Sequence, residues 1–515
     1  MAAASAHAFE GAQSDVVAFL ASGKAFDCRP EQIKTHAARI FLAGDRAWKL
    51  KRAVRYPYLD FSTLEQRHAI LAAELALNRR TAPHLYVGLA PVVRTADGEL
   101  HIGGAGEPLE WLLEMRRFPQ QSLFSELAEH RALGEDRMIR LTDQIVGFHQ
   151  SAEWLRSNDG ADRIRAVIAG NRDSLARYPQ ILPSPNCKRL IDRQLHLLAR
   201  YADLLDARAQ AGRIRHCHGD LHLGNIVLID GEPTLFDCLE FDSQLATIDV
   251  LYDLAFLLMD LWERDLHAQA NLVMNRYLDR SAEDENGIAL IPLLMSIRAT
   301  IRAHVCAATA ANGDDHSAGI AKAYLDLAAA LLADLPVALI ALGGLSGTGK
   351  STIARALAAK VGASPGARII RTDIIRKRLA GVSPETRLAR ATYTRAASHA
   401  AYTAALTLAR QGLSAGCSII VDAVFAEAQD RAAVRSLAAA TGAHWLGLWL
   451  EAPLAKRLER IRTRSRDASD ADVAVARQQK SPAADQLLGW HRVNATGPIP
   501  HVAEDIGELI QGVLR

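Results

Sequence analysis

Little in the 515-residue chain points to a secreted, fibrous or membrane-spanning protein. Its six cysteines (Cys28, Cys187, Cys217, Cys238, Cys306 and Cys417) are scattered and form no CxxC pair, which argues against a zinc knuckle or a disulfide framework and fits a reducing compartment. Charge of either sign is not in excess: 60 Lys and Arg face 58 Asp and Glu. No whole-chain field therefore demands nucleic acid or an anionic membrane as partner. The most apolar stretch, LLADLPVALIALGGL, is broken by Asp334 and Pro336 and falls short of the ~20 clean apolar residues that cross a bilayer, so no span is predicted. The start, MAAASAHAFEGAQSD, lacks the basic and apolar regions of a signal peptide, and the expected location is the cytoplasm. Internal repeats of fixed period and long low-complexity linkers are also missing.

What is there suffices for several cores: 49% of residues are apolar and 23% charged. The length exceeds that of a typical domain of roughly 100–200 residues, so more than one folding unit is expected. Residues 36–54 read as a hairpin, RIFLA and RAWKLKRAV around Gly44-Asp45. A helical period follows in STLEQRHAILAAELALNRR, then a strand pair in YVGLAPVVRT and EPLEWLLEMRRF. From about residue 120 to 330 the pattern is mainly helical, apart from a strand-turn-strand island at 214–237. Pro336 closes an Ala/Leu-rich helix, and VALIALGG opens a buried-type strand. Strands ARIIRTD, SIIVDA and HWLGLWLEA then alternate with helices, which implies a parallel sheet flanked by helices.

Gly344-Leu345-Ser346-Gly347-Thr348-Gly349-Lys350-Ser351 matches GxxxxGK[ST] between an apolar strand and a helical run. Gly344, Gly347 and Gly349 let backbone N–H groups wrap phosphates at a helix N-terminus. Lys350 is expected to reach the β- and γ-phosphates, Ser351 to ligate Mg²⁺, and Thr352 to stand beside them in the first helical turn. Asp373, after the second strand, is a candidate base for an acceptor hydroxyl with Arg376 as clamp; a structural helix cap is the blander reading. Asp422, ending SIIVD, is placed like a Walker-B carboxylate holding the metal shell. Arg457, Arg460 and Arg464 read as a helix and lid bringing cations to nucleotide phosphates and the transferred group, against the plainer reading of a solvated face.

His218-Gly219-Asp220-Leu221-His222-Leu223-Gly224-Asn225 carries Asp and Asn five apart, the spacing of a kinase catalytic loop, and TLFD ends in Asp237. Asp220 would take the proton of an acceptor hydroxyl, while Asn225 and Asp237 would hold metal against ATP phosphates. A metal cluster of His216, Cys217, His218, His222 and Cys238 fits no standard zinc spacing. Asp249 and Asp253 read as a helix cap and a buried acceptor that fix the loop, and His149 and His218 as structural.

HGDLHLGN with LFDCLEFD resembles the aminoglycoside phosphotransferase family, a protein-kinase-like α+β fold, and the likeness extends over about residues 30–310. The resemblance implies an ATP-binding lysine on an early strand: Lys49 in RAWKLK, with Lys51 on the same face as the alternative. It implies a helix carboxylate paired with that lysine, Glu74 or else Glu65, and places Glu114-Met115 at the adenine hinge. No G-x-G-x-x-G loop occurs in the first hundred residues, and Cys238-Leu239 stands where kinases carry Phe-Gly. The region after Pro336 is similar to small α/β P-loop kinases near gluconate and shikimate kinases and the zeta-toxin-like group, on GLSGTGKS, RTDIIRKRL, IIVDA and RIRTRSRDASDAD.

The expected organisation is a kinase-like domain over 1–335, with an N-lobe at about 30–115 and a C-lobe at about 116–335, then a P-loop kinase domain over 336–515. Two ATP- and Mg²⁺-dependent sites phosphorylating hydroxyls of small molecules follow from this reading. The rivals are a nucleotide-sensing regulator, in which one domain gates the other, and nucleic-acid end processing by the P-loop domain.

Overall fold

The computed structural model describes residues 10–35, 37–56, 59–240, 243–463 and 468–514. The chain parts into two compact units: one is the chain through Arg156 together with Gly212–Asp253, the other Ser157–Ala211 with Leu254–Arg515.

In the first unit the expected hairpin forms between strands Ala38–Ala43 and Arg46–Lys51, closing at the pair Ala43 and Arg46. Gly44 turns the chain at φ +59°, a left-handed backbone that costs glycine nothing. These strands lie in a six-stranded antiparallel sheet that continues through Glu107–Arg116, Tyr86–Arg94 and Leu100–Ile102. Side chains alternate across a strand. Trp48 and Leu50 enter a core with Phe41, Val92 and Leu112, while Ala47 joins Leu71, Tyr86, Leu113 and Met115 on the other face. Lys49 and Lys51 share the side of Ala47 by the same period of two, which brings both toward helix Leu64–Asn78. That helix starts at a capping box: the Thr63 hydroxyl accepts from Gln66 N–H, and the Gln66 side chain accepts from Thr63 N–H. Its buried face holds Arg67, Leu71, Glu74 and Asn78.

The second unit contains a five-stranded parallel sheet in the order Arg368–Arg371, Ile419–Asp422, Ala338–Gly344, His444–Glu451 and His491–Asn494. The central strand, ALIALGG, is buried along its whole length. Aliphatic cores lie on both faces, as the continuous apolar runs require for a sheet covered on each side. The last strand, HRVN, is short, polar and mostly exposed, and the hydropathy pattern gave no sign of it.

Edge strand Arg368–Arg371 is covered by helix His267–Arg280. Asn275 Oδ1 accepts from Ile369 N–H at 2.7 Å, and Asn271 donates to Pro365 and Ala367 carbonyls at 3.0 Å. Arg368, 2% exposed, pairs with Glu285 at 2.7 Å and Asp279 at 2.8 Å. Burial opposes its charge, but the two carboxylates outweigh it and raise the guanidinium pKa. Among the described residues one stretch, Ala282–Ala311, is long and apolar enough to cross a bilayer by length and composition, and 72% of its apolar window is buried within the protein.

Candidate active sites

The catalytic loop of the first unit is built around Asp253. Its carboxylate accepts from the backbone N–H of His218 at 3.1 Å and of Gly219 at 2.9 Å, and lies 3.1 Å from His149 Nε2. The expected structural parts of Asp253 and His149 are thus visible, and Asp249 accepts from Leu251 N–H at the start of the following helix. His149, Cys217 and Asp253 are close enough to suggest a metal set, yet Asp253 already serves three donors and the trio is buried. His218 Nε2 bonds the Phe236 carbonyl at 2.9 Å, bracing the loop against the hairpin that leads to Asp237.

Asp220 and Asn225 meet on this loop: Asn225 Nδ2 donates to Asp220 Oδ2 at 2.9 Å and to the Asp220 carbonyl at 3.0 Å. His222 Nε2 stands 3.4 Å from Asp220. Lys49 Nζ reaches Glu74 Oε1 at 2.6 Å and Asp237 Oδ1 at 2.8 Å, so the structure brings Glu74 rather than the exposed Glu65 to the lysine. Lys51 is there too, 2.7 Å from Glu74 Oε2 and 2.6 Å from Glu240 Oε1.

Burial lowers the Lys49 pKa, but Asp237 and Glu74 more than reverse this and hold it well above the ordinary lysine value. Burial raises Asp237, and Lys49 outweighs it to leave the carboxyl below its usual range, charged at neutral pH. Asp237 sits at φ +59° with its N–H donated to the Tyr86 hydroxyl at 3.0 Å, and Cys238 N–H is held by Asn78 Oδ1 at 2.8 Å. Glu114 and Met115 lie near the end of strand Glu107–Arg116, Glu114 beside Arg46 at 3.5 Å and Met115 in the core.

A divalent metal that prefers oxygen fits here. The Asp237 side chain is 42% exposed, and Asn225 spends its NH₂ on Asp220, which leaves its amide oxygen as a ligand.

In the second unit the glycine loop joins strand Ala338–Gly344 to helix Lys350–Ala358. Gly347, at φ +84°, passes so near the Arg457 carbonyl that a Cβ would lie 2.6 Å from it, and Gly349 opens the helix at φ +96°. Ser351 Oγ donates to Asp422 Oδ2 at 2.5 Å, which unites hydroxyl and carboxylate as an oxygen pair suited to Mg²⁺. Lys350 Nζ donates to the carbonyls of Gly344 and Leu345 at 2.8 and 3.2 Å, and burial lowers its pKa. Thr352 is exposed in the first helical turn.

Asp373 lies in the first turn of helix Thr372–Leu379, whose N-cap is Arg371 rather than Asp373. Burial raises its pKa, Arg371 lowers it in part and Asp422 adds to the rise. Arg376 stacks 4.6 Å above the Tyr393 ring. Arg457 and Arg460 do not form a solvated face: Arg457 Nε donates to Ser346 O at 2.8 Å, and Arg460 donates to Thr348 O at 3.1 Å and Ala495 O at 2.8 Å. Arg464 lies outside the described residues.

Three contributors carried no signal in the sequence. Tyr86 and Asn78 hold the Asp237 segment through single hydrogen bonds, and Gln479 Oε1 accepts from the P-loop N–H of Ser346 at 2.8 Å. Glu240 had one: it follows Asp237 by three residues in LFDCLEFD.

Comparison with known proteins agrees with both halves. Residues 42–287 match a phosphotransferase enzyme family and residues 339–484 an AAA domain family. Uncharacterized protein Rv2004c of Mycobacterium tuberculosis is 32% identical over 473 residues, 90% of this chain and 92% of the relative. Uncharacterized protein Mb2027c of Mycobacterium bovis matches to the same extent, 32% over 473 residues, covering 90% of this chain and 92% of the relative. Among solved structures, a choline/ethanolamine kinase family protein from Mesorhizobium loti is 15% identical with a TM-score of 0.36, covering 62% of this chain and 99% of that one. A gluconokinase from Sinorhizobium meliloti is 16% identical with a TM-score of 0.25, covering 35% of this chain and 95% of that one. The chain is a kinase-type phosphotransferase that joins a kinase-like domain to a P-loop kinase domain, and it belongs to the family of these mycobacterial proteins.

Proposed function

We propose that the chain holds two separate phosphotransfer sites, each using Mg·ATP to phosphorylate a hydroxyl of a small molecule. The observation that carries this reading is the convergence of Lys49, Glu74 and Asp237 within 2.8 Å contacts, in the unit that also joins Asn225 to Asp220. These residues come from a strand, a helix and two loops, and packing of an apolar core alone gives no reason to collect them.

In the first site Lys49 holds ATP phosphates, oriented by Glu74. Asp220 accepts the hydroxyl proton, and its carboxylate is fixed for that by Asn225. Asp237 and Asn225 hold the metal, which when bound neutralises charge on the phosphates. In the second, the P-loop amides and Lys350 bind phosphates, Ser351 and Asp422 hold the metal, and Asp373 takes the acceptor proton. A carboxyl raised by burial is a better base at neutral pH than a free one. Domains at 1–335 and 336–515 and a cytoplasmic location complete the proposal; all six cysteines are free, in keeping with a reducing compartment.

The test is an ATP-consumption screen against sugars, polyols, aminoglycosides, nucleosides and RNA ends, run on wild type, Asp220→Asn and Lys350→Ala. One acceptor should be lost only in the first variant and another only in the second. Turnover of a single acceptor, abolished equally by both, would contradict two independent sites, and turnover confined to RNA ends would favour end processing.

A further inference from the structure

The phosphate lysine of a kinase-like site needs one carboxylate partner, but strand Arg46–Lys51 supplies two lysines and the site three carboxylates. We propose that Lys51 and Glu240 form a positioning clamp that keeps Glu74 docked and Asp237 aimed at the metal, whether or not nucleotide is bound. This rests on the reading of the first site as a Mg·ATP site.

Lys51 is 2% exposed, and its ammonium sits between Glu74 Oε2 at 2.7 Å and Glu240 Oε1 at 2.6 Å. The Phe61 ring, 5.6 Å away, also lies against it. Lys49 holds the other oxygen of Glu74 at 2.6 Å and at the same time Asp237 at 2.8 Å. When Lys49 also faces a phosphate and Asp237 a metal ion, the Lys49 ammonium is shared among the phosphate, Asp237 and Glu74. Glu74 has no solvent exposure, and a buried carboxylate that loses its cation is strongly disfavoured. Lys51 gives Glu74 a second cation, so the carboxylate stays fully paired while Lys49 is shared.

Glu240 extends the clamp to the metal-binding segment. It lies three residues beyond Asp237, and its bond to Lys51 fixes that segment to the sheet. Cys238 N–H on Asn78 and Asp237 N–H on Tyr86 fix it to the helix and to a neighbouring strand. Kinases carry Phe-Gly after this aspartate, whereas here Cys238 and Leu239 lead to a charged anchor. Two lysines thus face three carboxylates, Glu74, Asp237 and Glu240.

The experiment measures Mg·ATP binding to the full chain carrying Lys350→Ala, as a function of Mg²⁺ concentration. Lys51→Met and, as a gentler variant, Glu240→Gln should each raise the dissociation constant roughly 10–100-fold, the range seen when a residue orienting a metal ligand is lost. Both should shift half-saturation to higher Mg²⁺, and Lys51→Arg should restore most of the affinity. A purely structural role would lower the melting temperature and leave the dissociation constant and Mg²⁺ dependence of the folded protein unchanged, which overturns the clamp. Lys49→Met is the control for the underlying reading: if it too binds Mg·ATP normally, the site is not a nucleotide site. If Lys49→Met fails to bind while Lys51→Met and Glu240→Gln bind as wild type, only the clamp is wrong.

Discussion

The two candidate sites are built from different materials. In the proposed reading the P-loop grips phosphate with backbone amides in eight consecutive residues, so its shape is written locally in glycines and a helix start. The kinase-like site is built from side chains whose pairing spans the unit: Lys49 to Asp237 is 188 residues apart, Lys51 to Glu240 is 189. A local device tolerates change elsewhere in the fold, whereas a site made of long-range ion pairs depends on sheet register and on every helix that positions a partner. Substitutions should therefore be felt differently in the two.

The largest expected effect is at Asp220. Asp220→Asn, in a Lys350→Ala chain, should reduce phosphoryl transfer by roughly 10²–10⁴-fold, the loss typical of a general base, while Mg·ATP affinity stays nearly constant. Parallel kinetics and binding measurements decide this, and equal loss of affinity would remove Asp220 from the role of base. Next comes the edge strand of the second unit. Arg368→Ala removes the nearest cation from buried Asp279 and Glu285, leaving Arg378 3.5 Å from Glu285, and should cost about 3–5 kcal/mol by denaturant unfolding. For the same reason a fragment of residues 337–515, lacking Asn275, Asp279 and Glu285, should unfold more easily than one of residues 254–515.

Asp237→Asn should act on the ground state, weakening Mg·ATP binding roughly 10–100-fold as a metal site loses a charged oxygen; calorimetry with and without Mg²⁺ reads it. The smallest effect is expected at Thr63→Ala, which removes a cap from the helix carrying Glu74 and should cost about 1 kcal/mol in stability. Nucleotide affinity unchanged in that variant would show that Glu74 is held by its cations rather than by the helix end.

The same contrast explains what the sequence could reveal. The P-loop, Asp422 at the end of its strand and the Asp220–Asn225 spacing are local patterns, and the structure sets Ser351 against Asp422 and Asn225 against Asp220. The choice between Lys49 and Lys51 was not decidable by pattern, because both lie on one face and both contact Glu74. Tyr86 lies in the core, yet its hydroxyl holds Asp237, a contact set by where one strand begins relative to a distant loop. The arginines after Glu451 read equally well as solvated, and only the proximity of helix Leu454–Thr463 to the glycine loop turns Arg457 and Arg460 inward. Pro336 marks a change of pattern, but the packing of Arg368 runs across it to helices earlier in the chain.

Two independent nucleotide sites are the central claim, and titration calorimetry of Mg·ATP into the full chain tests it most directly. Wild type should bind two nucleotides per chain, Lys350→Ala one and Lys49→Met one, since the sites use unrelated phosphate grips. A single site in wild type, or complete loss of binding in either variant, would contradict it.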